Sequence, residues 1–235
     1  IMSTAAITKS EEPGAYSLSN VRVSPTIFSR GGGVLLLVSL ALAGISGSWD
    51  RFAHAYLLAL GFCLSISLGA LFFVILQHLT NARWSVTVRR IAELLTSALP
   101  LLGMLFLPVV VSLFFGSGQL YEWNDAQVVA QDSLIQHKQA FLNAPFFAVR
   151  CFVYFTAWIL MARFFLNKSL AQDAGDGSAT FAMRRYSGPS MMLFALTLNF
   201  AAFDMFMSLD PHWFSTIYGV YYFAGCAVAL FATLP

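Results

Sequence analysis

The chain has 235 residues, 58% of them hydrophobic and only 10% charged, with a formal net charge of +2. No soluble core needs so much unbroken hydrocarbon, and so small a charge gives no footing for a nucleic-acid partner. An all-α integral membrane protein is the class that remains.

Six apolar runs account for it: Gly31–Gly47, Ala55–Leu79, Leu94–Phe115, Phe146–Leu166, Pro189–Leu209 and Trp213–Leu234. A bilayer core takes about 20 helical residues. Within hydrocarbon every backbone N–H and C=O must be paired inside its own segment, so the runs are expected to be helices. The expected organisation is a polar cytoplasmic tail over residues 1–30, then a transmembrane helical domain over residues 31–235. A cleaved signal peptide is not expected, because no basic region followed by a cleavage site occurs near Met2.

Helix 2 carries Gly61, Ser65 and Gly69 at four-residue spacing, a stripe that admits another helix closely. Helix 3 contains Pro100 and Pro108, each of which removes a helical hydrogen bond. Between helices 3 and 4 lies Gly116–Ala144, where Val128, Leu134, Ile135, Phe141 and Leu142 recur near helical spacing. An amphipathic segment near residues 124–142, starting at Asn124, is expected on the membrane surface or against a partner. The link Asn167–Gly188, with Asp173 and Asp176, reads as a solvated turn, since it lacks a full calcium-loop pattern. Asp210 and Pro211 read as the N-cap and first turn of helix 6. The apolar ending Leu230–Pro235 reads as C-terminally incomplete.

Basic residues orient the chain. Lys9, Arg22, Arg30, Arg83, Arg89, Arg90, Arg163, Lys168, Arg184 and Arg185 fall on the N-terminal side of the membrane. Arg51, Lys138 and Arg150 fall on the other. The positive-inside bias makes the N-terminus cytoplasmic.

Ionisable residues inside a span are functional candidates. Asp204 lies within helix 5 on one polar face with Thr197, Ala201 and Ser208. It either relays protons or bonds a neighbouring helix. Asp210 is a relay group or an N-cap, and His212 exchanges protons at the surface or is a plain interfacial histidine. Tyr218 lines a path or packs, and His54 stands at the same membrane face. At the opposite face Gln77 and His78 mark either a proton entry or a structural hydrogen-bonding site. His54 and His78 are about 36 Å apart along one helix, so they cannot share a haem. Arg150 either snorkels or pairs with a carboxylate such as Asp132 or Glu122. Cys63, Cys151 and Cys226 sit in apolar runs and read as small packed hydrophobes. No metal, nucleotide or nucleophile motif appears, and the chain shows no redox centre.

Several stretches are familiar in wording. They are Ala53-His-Ala-Tyr-Leu-Leu-Ala-Leu-Gly61, Gln77-His-Leu-Thr-Asn-Ala-Arg-Trp84, Arg89-Arg90, Leu120-Tyr-Glu-Trp123, Ala201-Ala-Phe-Asp204 and Met207-Ser-Leu-Asp-Pro-His-Trp-Phe-Ser-Thr-Ile-Tyr-Gly-Val-Tyr221. Together they resemble the F-type integral membrane component of bacterial alternative complex III, a quinol:cytochrome c oxidoreductase. That component is related to membrane anchors of the NrfD and polysulfide-reductase type. The resemblance implies an NrfD-like bundle in the bacterial inner membrane, serving a respiratory or photosynthetic chain. It implies as partners a homologous integral membrane protein (the C-type component), an iron–sulfur subunit and haem c subunits. Haem c and iron–sulfur clusters would then belong to those partners, with none bound by this chain, and quinone or quinol is a possible ligand. Under this reading Asp204, Asp210, His212, Tyr218 and His54 serve one half of a proton path, and Gln77 and His78 the cytoplasmic end. Two other classes stand beside it: a structural scaffold of such a complex, and an independent secondary transporter.

Overall fold

The computed structural model describes residues 25–82, 84, 86–115 and 120–234. The expected polar tail over residues 1–30 therefore lies almost wholly outside the described residues, as do Lys9, Arg22 and Arg83. The chain divides into two units, residues 1–47 and 48–235.

The first unit contains α1 (Pro25–Ser46). It starts six residues earlier than expected, with a proline in its first turn, where a missing N–H costs nothing. Val34, Leu35, Leu37 and Ile45 lie exposed along it. Two of its hydroxyls turn inward on the backbone, Ser39 donating to Leu36 O and Ser46 to Leu42 O. That leaves an apolar surface suited to lipid.

In the second unit all the regular structure of the described residues is helical. Its elements are α2 (Trp49–Leu79), α3 (Val86–Thr96), α4 (Leu99–Phe115), α5 (Ala126–Gln131), α6 (Ser133–Lys138), α7 (Ala144–Asp173), α8 (Gly177–Met205) and α9 (Tyr218–Thr233). Among the described residues four helical segments are long and apolar enough to cross a membrane: Trp49–Leu79, Val88–Phe115, Ala144–Asp173 and Gly177–Leu209. The apolar stretches Arg30–Ser46 and Tyr218–Thr233 are shorter. The protein is thus a membrane-embedded helical bundle with four candidate spans.

α2 is the central helix: 67% of its most apolar window is buried, against 28–44% for the other three. It packs against α9, α3, α8, α4 and α7. The small-residue stripe makes the closest of these contacts. A Cβ on Gly69 would overlap the backbone carbonyl of Cys226 on α9, and one on Gly61 would meet the Phe206 ring at 2.8 Å. Tyr222 Oη donates to Gly61 O at 3.1 Å across the same seam. Cys151 and Cys226 are buried as expected, whereas Cys63 faces outward on α2.

Four boundaries differ from expectation. The third run breaks into α3 and α4 at Ser97 and Ala98, which places Pro100 in the first turn of α4, where its missing N–H costs nothing. Ser67 Oγ donates at 3.1 Å to Leu95 O, which also accepts from Ala98 N at the break. The supposed link Asn167–Gly188 is almost all helix. α7 runs on to Asp173, and α8 starts at Gly177 with Pro189 inside it. Only residues 174–176 turn, with Gly175 at φ +97° and Asp176 accepting from Ser178 N as N-cap. The segment near 124–142 is two short helices, each started by an aspartate: Asp125 accepts from Gln127 N, and Asp132 from Leu134 N and Ile135 N. Finally, Asp210 is not the N-cap of a helix. α9 begins only at Tyr218, and Asp210 instead closes a turn by accepting from His212 N and Trp213 N.

Candidate functional site

α7 and α8 are antiparallel neighbours, and their buried faces carry the polar groups. On α7 the sequence places Phe147, Arg150, Cys151, Tyr154 and Trp158 at three- and four-residue spacing, all buried. On α8 the matching face is Thr197, Ala201 and Asp204. Trp158 Nε1 donates to Thr197 Oγ1 at 2.9 Å. Two turns further along α8, the faces meet again at Asp204.

Asp204 is fully buried, with 0% of its surface exposed. Arg150 grips it with two parallel hydrogen bonds, Nε to Oδ2 at 2.8 Å and Nη2 to Oδ1 at 2.9 Å. Tyr154 Oη donates a third to Oδ2 at 2.7 Å. The remaining guanidinium nitrogen Nη1 donates to Phe141 O at 2.9 Å. The rings of Phe141 and Phe146 cover the cation, with centroids 3.9 and 4.3 Å from its carbon. Just past this joint Tyr121 Oη donates to Met205 O at 3.0 Å, and Ser208 Oγ donates to Asp204 O. A charged pair so placed fits the rule that intramembrane charges are matched and hydrogen-bonded. Asp204 is therefore held in a closed joint between helices. Arg150 pairs with it, and with neither Asp132 nor Glu122.

Asp210, His212 and Tyr218 lie in and after the connection from α8 to α9. His212 Nε2 bonds Asp132 Oδ2, and Lys138 Nζ donates to Pro211 O at 2.6 Å. The loop is thus fastened to α6 at two points. Partial desolvation raises the Asp132 carboxyl, but the N–H groups of Ile135 and Leu134 and the His212 ring outweigh it and hold the group below its usual range. Tyr218 sets its ring edge-on to Trp213, centroids 5.5 Å apart. A cavity of about 490 Å³ opens beside this loop, walled by Phe141, Phe203, Met207, Trp213 and Phe214, with Lys138 and Asp210 at its polar side. Among the described residues no hydrogen bond joins the Asp132–His212 set to the Asp204 set. His54 is exposed, and its Nδ1 lies 2.7 Å from Asp50 O in its own helix. It joins neither set.

At the other end of the bundle Gln77 and His78 are buried, with 4% and 6% exposed. The His78 ring stacks on Phe165 at 5.5 Å with an 11° interplanar angle. Nearby, Glu93 is almost fully buried and accepts from Arg90 Nη1 at 2.8 Å, with Arg89 Nε 3.5 Å away; Arg90 also pairs with Asp173.

Arg150, Tyr154, Asp132 and Glu93 carry more of this geometry than sequence reasoning assigned them. Tyr154 had a signal, one turn after Arg150 on the same face. Glu93 had another, following Arg89 and Arg90 at helical spacing.

Compared with known proteins, the chain matches no family model and no curated protein.

Proposed function

We propose that this chain is an integral membrane component of a bacterial quinol:electron-acceptor oxidoreductase complex, of the F type found in alternative complex III. It would lie in the inner membrane with its N-terminus in the cytoplasm and six NrfD-like spans. It supports quinol oxidation without holding a redox centre, beside a homologous integral membrane protein, an iron–sulfur subunit and haem c subunits. One observation supports the reading: three of the stretches that bear the resemblance meet at one end of the bundle, and two others meet at the opposite end. Residues 201–204 form the buried joint, and 207–215 lie against Asp132 and Lys138. Residues 121–123 pack beneath them through Tyr121. Gln77, His78 and Arg89 gather at the far end. In this reading His212, Asp132 and Asp210 exchange protons at one face. Asp204 joins the path only in a state where Arg150 lets go.

The scaffold reading draws on the same joint. With both carboxylate oxygens taken and the cation covered by two rings, Asp204 and Arg150 fasten α7 to α8 without moving a proton. One experiment separates these readings. The tagged chain is purified from its native membrane, and the complex is assayed for quinol oxidation and for protons moved per electron. Co-purification with haem c and iron–sulfur subunits is expected; recovery of the chain alone overturns the assignment. A lower proton-to-electron ratio in His212→Ala, with electron flow retained, supports the proton path. An unchanged ratio in both His212→Ala and Asp204→Asn leaves the scaffold.

A further inference from the structure

The far end of the bundle holds a second cavity, small and polar, between the C-terminal turn of α2, α3, the end of α7 and the first turns of α8. Its volume is about 160 Å³, and its wall includes His78, Asn81, Arg89, Gln172, Thr180 and Arg184. At about 30 Å³ per water, that space holds roughly five waters or one hydrated tetrahedral oxyanion. It is too small for a nucleotide.

Its chemistry is one-sided. Every polar group in this wall is a cation or a neutral hydrogen-bonding group, with no carboxylate among them. The two acids closest to hand, Glu93 and Asp173, are both engaged by Arg90. Arg89 is loosely held, 3.5 Å from Glu93 Oε1 and 3.4 Å from Gln172 Oε1. Among the described residues no carboxylate pairs with the Arg184 guanidinium. The deciding group is His78. It is 94% buried, its ring is fixed on Phe165, and its Nε2 has no hydrogen-bond partner among the described residues. A buried polar nitrogen left unpaired is costly, and in native proteins it nearly always has a partner. In the Nε2–H tautomer it donates, as both guanidinia do. α2 and α7 turn their negative ends toward the site and α3 and α8 their positive ends, so the helix termini nearly cancel and the two arginines set the sign.

The geometry points to a binding site for a phosphate-bearing anion, held by Arg89, Arg184 and His78 at the end of the spanning helices. Guanidinium forks match phosphate oxygens, and basic pockets between membrane helices suit anionic headgroups. The anion is either the phosphodiester of an anionic phospholipid or free phosphate. The site does not depend on the chain's place in an electron-transfer complex.

The test uses the full chain, with whatever subunits accompany it, in nanodiscs of phosphatidylcholine. Apparent melting temperature is read with and without phosphatidylglycerol, and separately with and without inorganic phosphate at constant ionic strength. A rise of roughly 3 °C is expected from binding to the folded form. It should shrink by more than half in Arg184→Gln, whose side chain is exposed and forms no ion pair among the described residues, and in His78→Phe. A rise with phosphatidylglycerol alone identifies the lipid headgroup, and a rise with phosphate as well identifies the free oxyanion. Absence of a rise with both probes overturns the site, as does a rise of equal size in Arg184→Gln.

Discussion

Cutting the Arg150–Asp204 pair on one side only is the sharpest perturbation available. Removal of one partner strands a buried charge, and such losses run to about 3–5 kcal/mol. For a protein of this size each kcal/mol is worth about 2–4 °C in melting temperature. Arg150→Met or Asp204→Leu alone should therefore lower it by about 6–20 °C. The double variant removes both charges and strands only the Tyr154 hydroxyl and the Phe141 carbonyl. These are neutral groups, each costing about 1–3 kcal/mol when left unpaired. It should melt well above the sum of the single losses, with a coupling energy of about 2 kcal/mol or more.

Buried thiols supply the assay. Cys151 and Cys226 are shielded in the folded protein, and a thiol-reactive dye reports their release on heating. Cys63 is exposed, so a Cys63→Ser background removes its signal. Single shifts below about 3 °C, or a double variant that simply adds the two losses, would show that the pair does not hold α7 to α8.

The α2–α9 seam makes a second prediction. Gly69→Val should destabilise by about 1–3 kcal/mol or more, because the new side chain meets backbone at Cys226. Gly103→Ala should cost clearly less, since its Cβ meets only the Phe155 side chain, at 3.2 Å, and no backbone; similar melting temperatures for the two variants would contradict the packing. The α6 clasp makes a third. The Asp132 carboxyl is depressed in the folded state, so its contribution is present above its ordinary value of 3.8 and fades as pH falls through the lower folded value. Hydrogen exchange of the α6 amides, corrected for intrinsic rate, should stay slow down to about pH 4 and quicken below it. Exchange that stays slow below that pH would refute the clasp.

The membrane class was legible because hydrocarbon length and backbone pairing leave few alternatives. Gly61 and Gly69 were legible as close-packing positions for the same kind of reason: small side chains at four-residue spacing have one geometric use. The helix ends were not. Asn167–Gly188 is polar enough to read as a loop, yet helices that leave the bilayer carry their polar turns into water without unwinding. Asp210-Pro211 is a helix start in most settings. Here the aspartate's oxygen goes to His212 N and Trp213 N, while the loop's other bonds reach across to Asp132 and Lys138. No local pattern announces such long-range partners.

The misplaced turn also hid the partner of Asp204. With the hairpin centred on Gly175, Arg150 lies 25 residues before it and Asp204 29 after it, about 38 and 44 Å along their axes. The mismatch is about one helical turn. A helical side chain leans toward its own N-terminus, and α7's N-terminus points the way α8 is running, so Arg150 leans across that gap. Trp158 and Thr197 show a similar offset, 17 residues before Gly175 and 22 after it, about 26 and 33 Å, and they too are bonded. Pairing follows from the position of one glycine at positive φ. Shifting that turn by two or more residues in either direction should cost Arg150 its hold on Asp204, whatever its effect on the helices themselves.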